Sequence, residues 1–245
     1  MRAFESVSAS SAESFQLAPT EVHLWGCRLG EAQKACTGLE SHLEDAERSR
    51  ANRFRRPEDA ARYIAGRGLL RYMIGKYLDL IPRQLRFEYG PQGKPFLEQS
   101  NDLQFNLSHA GDLAMLAFSR GRAVGVDVES REREIRGEEI AFRFFSAAEQ
   151  AELCALEATE RPAAFLRGWT RKEAFIKARG ESILKELTRF SVSLSPEDTA
   201  PIRGGAHGVP GKWQMHTLET EAYVATVCWE GEANLSCRQL FGRPL

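Results

Sequence analysis

The stretch FLRGWTRKEAFIKARG, residues 165–180, predicts a helix with an aromatic side chain and charged side chains on one face. At about 100° per residue, the side chains that share this face span roughly 140°. They are Trp169, Lys172, Glu173, Ile176, Lys177 and Gly180. Glu173 and Lys177 are four residues apart, so they could form an ordinary ion pair that supports the helix. On this stretch alone, a structural and a functional interpretation are equally open.

The overall composition indicates a globular protein without a nucleic-acid or membrane partner. The chain has 245 residues, of which 42% are hydrophobic and 27% charged, and its formal net charge is −1, so we expect two domains. Its five cysteines show no CxxC pattern, which favours free thiols in a reducing cytoplasm. The sequence has neither an apolar run that could span a membrane nor a signal peptide. The Ser-rich residues 1–15 predict a disordered lead-in.

The first half of the chain has alternating strand and helix patterns. Residues 21–29 alternate as a strand does, and residues 37–80 carry two apolar helical stripes, the second opened by Pro57. Nine basic side chains lie within residues 48–76, either as a solvated helix face or, for some of them, as a phosphate site. Residues 85–98 predict a hairpin whose Gly/Pro turn presents Lys94 as a candidate phosphate contact.

Residues 103–119 predict two further strands, and polar groups end the first of them. These groups are Asn106, Ser108 and His109. Adjacent side chains in an extended segment point to opposite faces, and no GxSxG pattern surrounds Ser108. We therefore expect Ser108 and His109 to hydrogen-bond a ligand rather than to act as a nucleophile and its base.

The segment AVGVDVE, residues 123–129, predicts a largely buried strand with two carboxylates on one face. Asp127 and Glu129 would lie about 7 Å apart, at a rise of ~3.3 Å per residue. Unpaired carboxylates are costly in a buried strand, so a cation is expected between them. Hard oxygen ligands of this kind suit Mg²⁺ bound together with substrate phosphate oxygens.

The second half repeats this order of elements. Ser146 with Glu149 three residues later forms a capping box that starts a helix near residue 147, and Pro162 opens the helix of residues 165–180. Three alternating segments predict a second antiparallel sheet. They are residues 189–198, 212–219 and 221–230.

These elements predict an α+β fold built as a pseudo-twofold pair of similar lobes. Each lobe would be a small antiparallel sheet packed with a long helix, and the active site would lie in the cleft between them. The lobes would be residues 16–123 and, with the metal site, residues 124–245.

Three segments in this order resemble one family, the Sfp-type 4'-phosphopantetheinyl transferases. They are Gly125-Val126-Asp127-Val128-Glu129, Phe145-Ser146 with Glu149, and Trp169-x-x-Lys172-Glu173-Ala174-x-x-Lys177-x-x-Gly180, preceded by Gly93-Lys94-Pro95 and Asn106-Leu107-Ser108-His109. The resemblance covers residues 48–230. It implies that coenzyme A and Mg²⁺ bind in the cleft. It also implies transfer of the phosphopantetheine arm to a serine of an apo acyl, peptidyl or polyketide carrier protein, with release of adenosine 3',5'-bisphosphate.

The resemblance also assigns residue roles. Asp127, Glu129 and Glu173 match metal-binding acids, and Lys177 matches a lysine that contacts the phosphates of coenzyme A. Asp127, Glu173 and Lys177 are the catalytic candidates, and Glu173 or a metal-bound water would accept the serine proton. The positions that match coenzyme A contacts are Arg50, Arg62, Gly93, Lys94, Pro95, Ser108, His109, Lys172 and Lys177. The turn YGPQGKP is longer than the YGKP of some members, so the adenine contact is left open.

Two other functions compete with this one. A non-catalytic module that binds coenzyme A or a nucleotide would have little need for three metal-binding acids. A metal-dependent phosphohydrolase would need a nucleophile or a second metal cluster, which the sequence does not show. We therefore expect a cytoplasmic, monomeric transferase; which carrier proteins it modifies, and where they dock, is left open.

Overall fold

A computed structural model of the protein describes residues 5–7, 12–36, 38–100, 102–132, 137–181, 187–198, 202–203 and 212–241, which form an α+β fold. The α-helices are α1 Leu29–Ala35, α2 Asp45–Ala51, α3 Pro57–Leu78, α4 Gly137–Phe144, α5 Ala147–Ala155 and α6 Arg161–Arg179. The strands are β1 Glu5–Val7, β2 Glu21–Arg28, β3 Phe87–Tyr89, β4 Pro95–Leu97, β5 Leu103–Ala110, β6 Leu113–Arg120, β7 Val124–Ser130, β8 Ser191–Val192, β9 Ile202–Arg203, β10 Trp213–Glu219, β11 Tyr223–Glu230 and β12 Asn234–Leu240. Short 3₁₀ helices are Ala12–Phe15, Leu39–His42 and Pro82–Gln84.

The first sheet is mixed and has the strand order β1-β12-β2-β6-β5 in the described part of the chain. β2, β6 and β5 pair antiparallel, with Trp25 opposite Leu116 and Leu116 opposite Leu107. β12 joins β2 in parallel, and β1 joins β12 in parallel. One face of this sheet, which includes Trp25 and Leu116, packs on α3, and the other face packs on the second sheet. The strands are therefore buried on both faces.

The second sheet is antiparallel, has the order β10-β11-β7 and carries α6 on its outer face. Along β7 the valines face the first sheet, so the alternate residues Gly125, Asp127 and Glu129 face α6. A Cβ added to Gly125 would lie 2.2 Å from the carbonyl oxygen of Ala174. Only glycine therefore allows α6 to lie this close to β7, which brings Glu173 and Lys177 of the helix next to Asp127 of the strand.

The helix signals of the sequence are confirmed at both long helices. α3 begins with Pro57, and α6 has Pro162 in its first turn and ends at Gly180, whose φ is +66°. The capping box at the start of α5 is present, with Glu149 N donating to Ser146 Oγ and Ser146 N donating to Glu149 Oε2. The hairpin of residues 85–98 is formed by β3 and β4. All five cysteines are free thiols.

The beginning of the chain differs from the expected disordered lead-in. Residues 5–7 form β1 and residues 12–15 a 3₁₀ helix. Phe15 is buried and stacks on Trp25, with ring centroids 5.4 Å apart, and this apolar contact holds the segment on the core. The rest of residues 1–15 lies outside the described residues.

Sheet and helix boundaries also differ from the predictions. The segment 189–198 does not join the second sheet, because its strand β8 pairs with β9. β12 was not predicted, and it belongs to the first sheet, which is therefore not purely antiparallel. The first apolar stripe of residues 37–80 is divided between a 3₁₀ helix and α2, and α1 precedes it. The lobe boundary after residue 123 stays a prediction. None of the described helices is long and apolar enough to cross a membrane.

Candidate active site

Asp127 is the centre of a polar cluster between β5, β7 and α6. Asn106 Oδ1 accepts a hydrogen bond of 2.9 Å from Val126 N, which ties β5 to β7 and lets Ser108, two residues further on, reach Asp127. Asp127 Oδ1 accepts from Ser108 Oγ at 2.9 Å and from Lys177 Nζ at 2.6 Å. Asp127 Oδ2 is buried and has no hydrogen-bond partner among the described residues. One carboxylate oxygen is therefore left to accept a further ligand.

The charges of this cluster act on one another. Burial, followed by the negative charge of Asp127 and, more weakly, of Glu129, raises the pKa of Glu173 to about 7, although Lys177 opposes the shift. Burial lowers the pKa of Lys177, but attraction to Asp127, Glu173 and Glu129 outweighs it, so the pKa is raised. The three carboxylates predicted from the sequence thus lie within electrostatic reach of one ammonium group.

This cluster forms one wall of a pocket of about 840 Å³, called the Asp127 pocket below. The pocket brings together eight of the residues singled out in the sequence. They are Arg50, Arg62, Ser108, His109, Asp127, Glu129, Glu173 and Lys177. Residues from α2, α3, β5, β7 and α6 therefore converge on one site, although they are far apart in the chain.

Ser108 and His109 lie on opposite faces of β5, as predicted, yet both line the Asp127 pocket. Ser108 is buried and bound to Asp127, whereas the His109 ring is exposed at the pocket wall. Desolvation of the ring, followed by the positive charges of Lys177 and Arg62, lowers the pKa of His109. A neutral imidazole beside two cations can still donate one hydrogen bond to an anionic ligand.

An aromatic wall of the pocket was not predicted from the sequence. Phe54 and Tyr63 have ring centroids 5.4 Å apart, and the Arg50 guanidinium lies 5.4 Å from the centre of the Tyr63 ring. Arg62 lies on α3, as Tyr63 does, and forms an ion pair with Asp59 at 3.1 Å. Phe54 and Tyr63 lie among the arginines of residues 48–76 in the sequence. These two aromatic residues could have indicated the wall, but the prediction for this stretch used only its charges.

Two of the nine basic residues within residues 48–76 form ion pairs in the core and do not line the Asp127 pocket. Arg71 is fully buried, donates to Glu47 Oε2 at 2.6 Å and lies over the Phe87 ring at 4.8 Å. Arg67 also pairs with Glu47 and lies over Phe87 at 4.1 Å. Buried cations of this kind need a partner carboxylate, and Glu47 on α2 supplies it.

Lys172 does not line the Asp127 pocket, contrary to the expected contact with coenzyme A. It is fully buried, and its Nζ donates at 2.7 Å to Glu149 Oε1, Glu149 Oε2 and the carbonyl oxygen of Phe190. An ammonium group has three N–H donors, so all of them are used within the protein.

Lys94, with its neighbours Gly93 and Pro95, also lies outside the residues that line the Asp127 pocket. Lys94 Nζ donates to the carbonyl oxygens of Val124 at 3.0 Å and Ala178 at 2.8 Å. Burial lowers the pKa of Lys94 to about 8. The side chain thus joins the start of β7 to the end of α6, where the sequence predicted a phosphate contact. Gly93 has a φ of +82° in the hairpin turn, and Pro95 begins β4.

Asp127, Glu129 and Glu173 line the same pocket but do not converge on a preformed metal site. Within the described residues, no group of three or more His, Cys, Asp or Glu side chains has the spacing of a metal centre. The Lys177 ammonium lies against Asp127 Oδ1 instead. The donor set nevertheless suits Mg²⁺, because carboxylate oxygens are its preferred protein ligands and the buried Asp127 Oδ2 has no hydrogen-bond partner in the described part of the chain.

Comparisons with known proteins agree on one family. The chain matches the model of the 4'-phosphopantetheinyl transferase superfamily over residues 123–228. It matches the model described as 4'-phosphopantetheinyl transferase, N-terminal, over residues 32–120. Together the two matches include every residue that lines the Asp127 pocket.

Three relatives have that activity in their names. The chain is 38% identical to 4'-phosphopantetheinyl transferase HetI of Nostoc sp. (strain PCC 7120), over 75% of this chain and 78% of HetI. It is 34% identical to 4'-phosphopantetheinyl transferase psf-1 of Bacillus pumilus, over 86% of this chain and 92% of psf-1. It is also 34% identical to 4'-phosphopantetheinyl transferase Sfp of Bacillus subtilis (strain 168), over 66% of this chain and 71% of Sfp.

Proposed function

The chain belongs to the 4'-phosphopantetheinyl transferase superfamily, and from this membership we propose its reaction. The protein is a transferase that moves the phosphopantetheine arm of coenzyme A to a serine hydroxyl of an apo carrier protein. The serine oxygen forms a bond to the phosphorus of the phosphopantetheine group, the P–O bond to the nucleotide breaks, and adenosine 3',5'-bisphosphate leaves. The serine proton goes to a base in the Asp127 pocket.

The observation that carries this proposal is the cluster of Asp127, Glu173 and Lys177 in a pocket that Arg50 and Arg62 also line. Phosphoryl transfer depends on positioned cationic groups that neutralise the charge on the transferred group and the leaving phosphate. Lys177 supplies one such charge beside the acids. The two arginines suit the phosphates of the nucleotide part, because guanidinium groups bind phosphate oxygens with two parallel hydrogen bonds.

Glu173 is the group best suited to accept the serine proton. With no cation bound, its pKa of about 7 lies close to neutral pH, where a base combines an ionised fraction with a useful proton affinity. Its carboxylate lies among Asp127, Glu129 and Lys177, so the charge of the proton it gains is stabilised by the neighbouring acids. Ser108 and His109 would orient the substrate from β5.

We infer that Asp127, Glu129 and Glu173 hold Mg²⁺. When bound, the ion would neutralise charge on the pyrophosphate of coenzyme A. The support for this site is the buried, unpartnered Asp127 Oδ2 together with two further carboxylates that line the same pocket. Burial is the larger cause of the raised pKa of Glu173, and the repulsion by Asp127 and Glu129 that adds to it also favours binding of a cation.

The proposal extends to the arrangement and the partners of the enzyme. We infer a pseudo-twofold pair of lobes, divided after residue 123, with the active site in the cleft between them. The substrate partners would be apo acyl, peptidyl or polyketide carrier domains, and a cytoplasmic monomer would suffice because one chain contains both lobes. The order of elements, with a long helix α3 or α6 on each sheet, supports this arrangement.

The function is tested by incubating the protein with coenzyme A, Mg²⁺ and a panel of apo carrier proteins and weighing each carrier by mass spectrometry. We expect at least one carrier to gain the mass of one phosphopantetheine group, and an excess of EDTA to prevent the gain. The absence of any gain across acyl, peptidyl and polyketide carriers, with coenzyme A still bound, would indicate a non-catalytic module instead.

A further inference from the structure

Lys172 on α6 does not line the Asp127 pocket, although it precedes Glu173, the residue that we propose as the base. Successive helix residues are about 100° apart, so Lys172 and Glu173 point in different directions from the same turn. Lys172 is fully buried, and its Nζ has three bonds of 2.7 Å to Glu149 and Phe190. The rings of Phe145 and Phe190 lie 5.8 and 4.5 Å from the ammonium nitrogen. The hydrogen bonds to Glu149 and Phe190 and the two flanking rings therefore fix the position of the Lys172 ammonium group.

Glu149 is itself held by the backbone. Its Oε2 accepts from Ser146 N at 2.6 Å, and its Oε1 accepts from Val192 N at 2.8 Å. It is only 1% exposed. One carboxylate thus joins the start of α5, the strand β8 and, through Lys172, the middle of α6. Because both backbone donors are fixed in place, the carboxylate is a rigid anchor for the lysine.

This anchor acts on the rotation of α6. Gly125 brings the helix backbone against β7, which limits its translation. A rotation of about 10° would move a carboxyl group roughly 6 Å from the helix axis by about 1 Å. A displacement of that size at a reacting group can lower a rate by about 10²-fold.

We propose that the Lys172–Glu149 ion pair is a positioning pair, which holds α6 in the rotation that directs Glu173 and Lys177 into the Asp127 pocket. Neither member contacts coenzyme A. The inference rests on the proposed transferase function and reassigns Lys172, whose sequence context suggests a ligand contact.

The test uses the full-length protein and three variants. Glu149→Gln removes the negative partner but leaves Lys172 in place. Glu149→Gln/Lys172→Met removes the pair without leaving one charge alone in the core, and the glutamine keeps one acceptor oxygen for the backbone. The matched control, Glu31→Gln/Lys34→Met, makes the same changes in an exposed pair with a 2.9 Å contact. For each protein we would measure kcat, KM and the calorimetric Kd for coenzyme A, and hydrogen exchange of the α6 amides.

We expect both Glu149 variants to lose kcat by about 10²-fold, while KM and Kd for coenzyme A change less than threefold. We also expect the exchange of the amides around Glu173 to rise, and the control to behave like the unmodified protein. If the Kd for coenzyme A rises in the double variant but stays the same in Glu149→Gln, then Lys172 contacts coenzyme A, and the inference is overturned. Unchanged kcat and unchanged exchange in both variants would overturn it as well, because the pair would then serve stability alone.

The outcome for the unmodified protein separates this inference from the proposed function. If the unmodified protein modifies no carrier, the transferase proposal fails, and the exchange of the α6 amides still decides whether the pair fixes the helix. If the unmodified protein is active and the variants match it, only the positioning role fails.

Discussion

The properties of single residues in this protein depend on which neighbour each charge meets. Lys172 and Lys177 are five residues apart on one helix, yet one is neutralised by Glu149 in the core and the other by Asp127 in a pocket. Glu173 has like charges around it, and burial together with these charges raises its pKa to about 7. The same residue types therefore form ion pairs in the core at one position and line the pocket at another.

The role of Glu173 predicts the effect of removing its charge. The Glu173→Gln variant should lose about 10²- to 10⁴-fold in kcat, because it has no group to accept the serine proton. Its thermal midpoint should stay the same or rise, because a carboxylate repelled by Asp127 and Glu129 has been neutralised. The measurements are steady-state carrier modification and a thermal unfolding scan. Glu160→Gln, an exposed change at the start of the same helix, is the control, and near-normal turnover of Glu173→Gln would remove it from the site.

His23 predicts a pH dependence of stability. Its ring is fully buried and bound to the Tyr77 hydroxyl at 2.7 Å. Burial and the nearby Arg238 lower its pKa from 6.5 to about 3 and outweigh Glu21, which lies 3.5 Å from Nε2 but at the surface. Between these two values the unfolded chain binds a proton at His23 that the native protein does not. The contribution of His23 to the free energy of unfolding is therefore largest above pH 6.5 and falls as the pH decreases towards 3.

The His23→Gln variant isolates this effect. The free energy of unfolding of the unmodified protein should fall relative to that of the variant as the pH goes from 7 to 4, by up to about 1.4 kcal/mol per pH unit. Urea unfolding of both proteins at several pH values gives this difference. A difference that is constant with pH would contradict the lowered pKa.

At the scale of elements, the site depends on how closely α6 approaches β7. Gly125 has no room for a Cβ, since the carbonyl oxygen of Ala174 would lie 2.2 Å and the nitrogen of Ala178 2.3 Å from it. Lys94 Nζ also links these two elements, because it donates to the carbonyl oxygens of Val124 at the start of β7 and Ala178 at the end of α6. The acids of β7 and Glu173 of α6 meet because these contacts bring the helix and strand backbones together.

The Gly125→Ala variant tests this close contact. The added methyl group must push α6 away from β7, so we expect a loss of about 1–3 kcal/mol in the free energy of unfolding. The kcat should fall as well, because Glu173 and Lys177 move with the helix. The control is Gly66→Ala in α3, where the nearest atom to an added Cβ is 3.7 Å away. Equal stability and kcat for both variants in urea unfolding and carrier assays would contradict the argument.

At the scale of the whole molecule, β12 joins parts of the chain that the sequence separates. It follows the second sheet in the chain but pairs with β2 in the first sheet. Its alternate side chains enter both cores, since Leu240 packs with the core under α3 and Cys237 with the core between the sheets. Whatever the lobe boundary, both cores contain side chains of this strand and are expected to unfold together.

This shared strand predicts the result of a Leu240→Ala change. Loss of a fully buried leucine should lower the free energy of unfolding by about 2–5 kcal/mol. Unfolding should stay a single transition when followed by far-UV circular dichroism and by the total tryptophan fluorescence, to which Trp25 in one core and Trp229 in the other contribute. The exposed change Gln92→Ala is the control. Two separate transitions would show that the cores unfold independently.

Local chemistry in the sequence by itself determined the helix starts at Pro57 and Pro162, the capping box of α5, the strands on either side of residue 111, and the acidic side of β7. These features depend on side chains within a few residues of one another. The same local patterns pointed to Asp127, Glu173 and Lys177, which line one pocket in the structure. Their roles in transfer stay predictions.

Only the tertiary structure decided which charged side chains line the pocket and which are bound within the core. Lys172 and Lys94 match coenzyme A contacts in the family resemblance, but Glu149 lies 23 residues from Lys172, and the carbonyl oxygen of Ala178 lies 84 residues from Lys94. The return of β12 to the first sheet likewise depends on a contact between distant segments, since β12 pairs with β2. Burial and partner choice depend on contacts between distant segments, and no local pattern contains them.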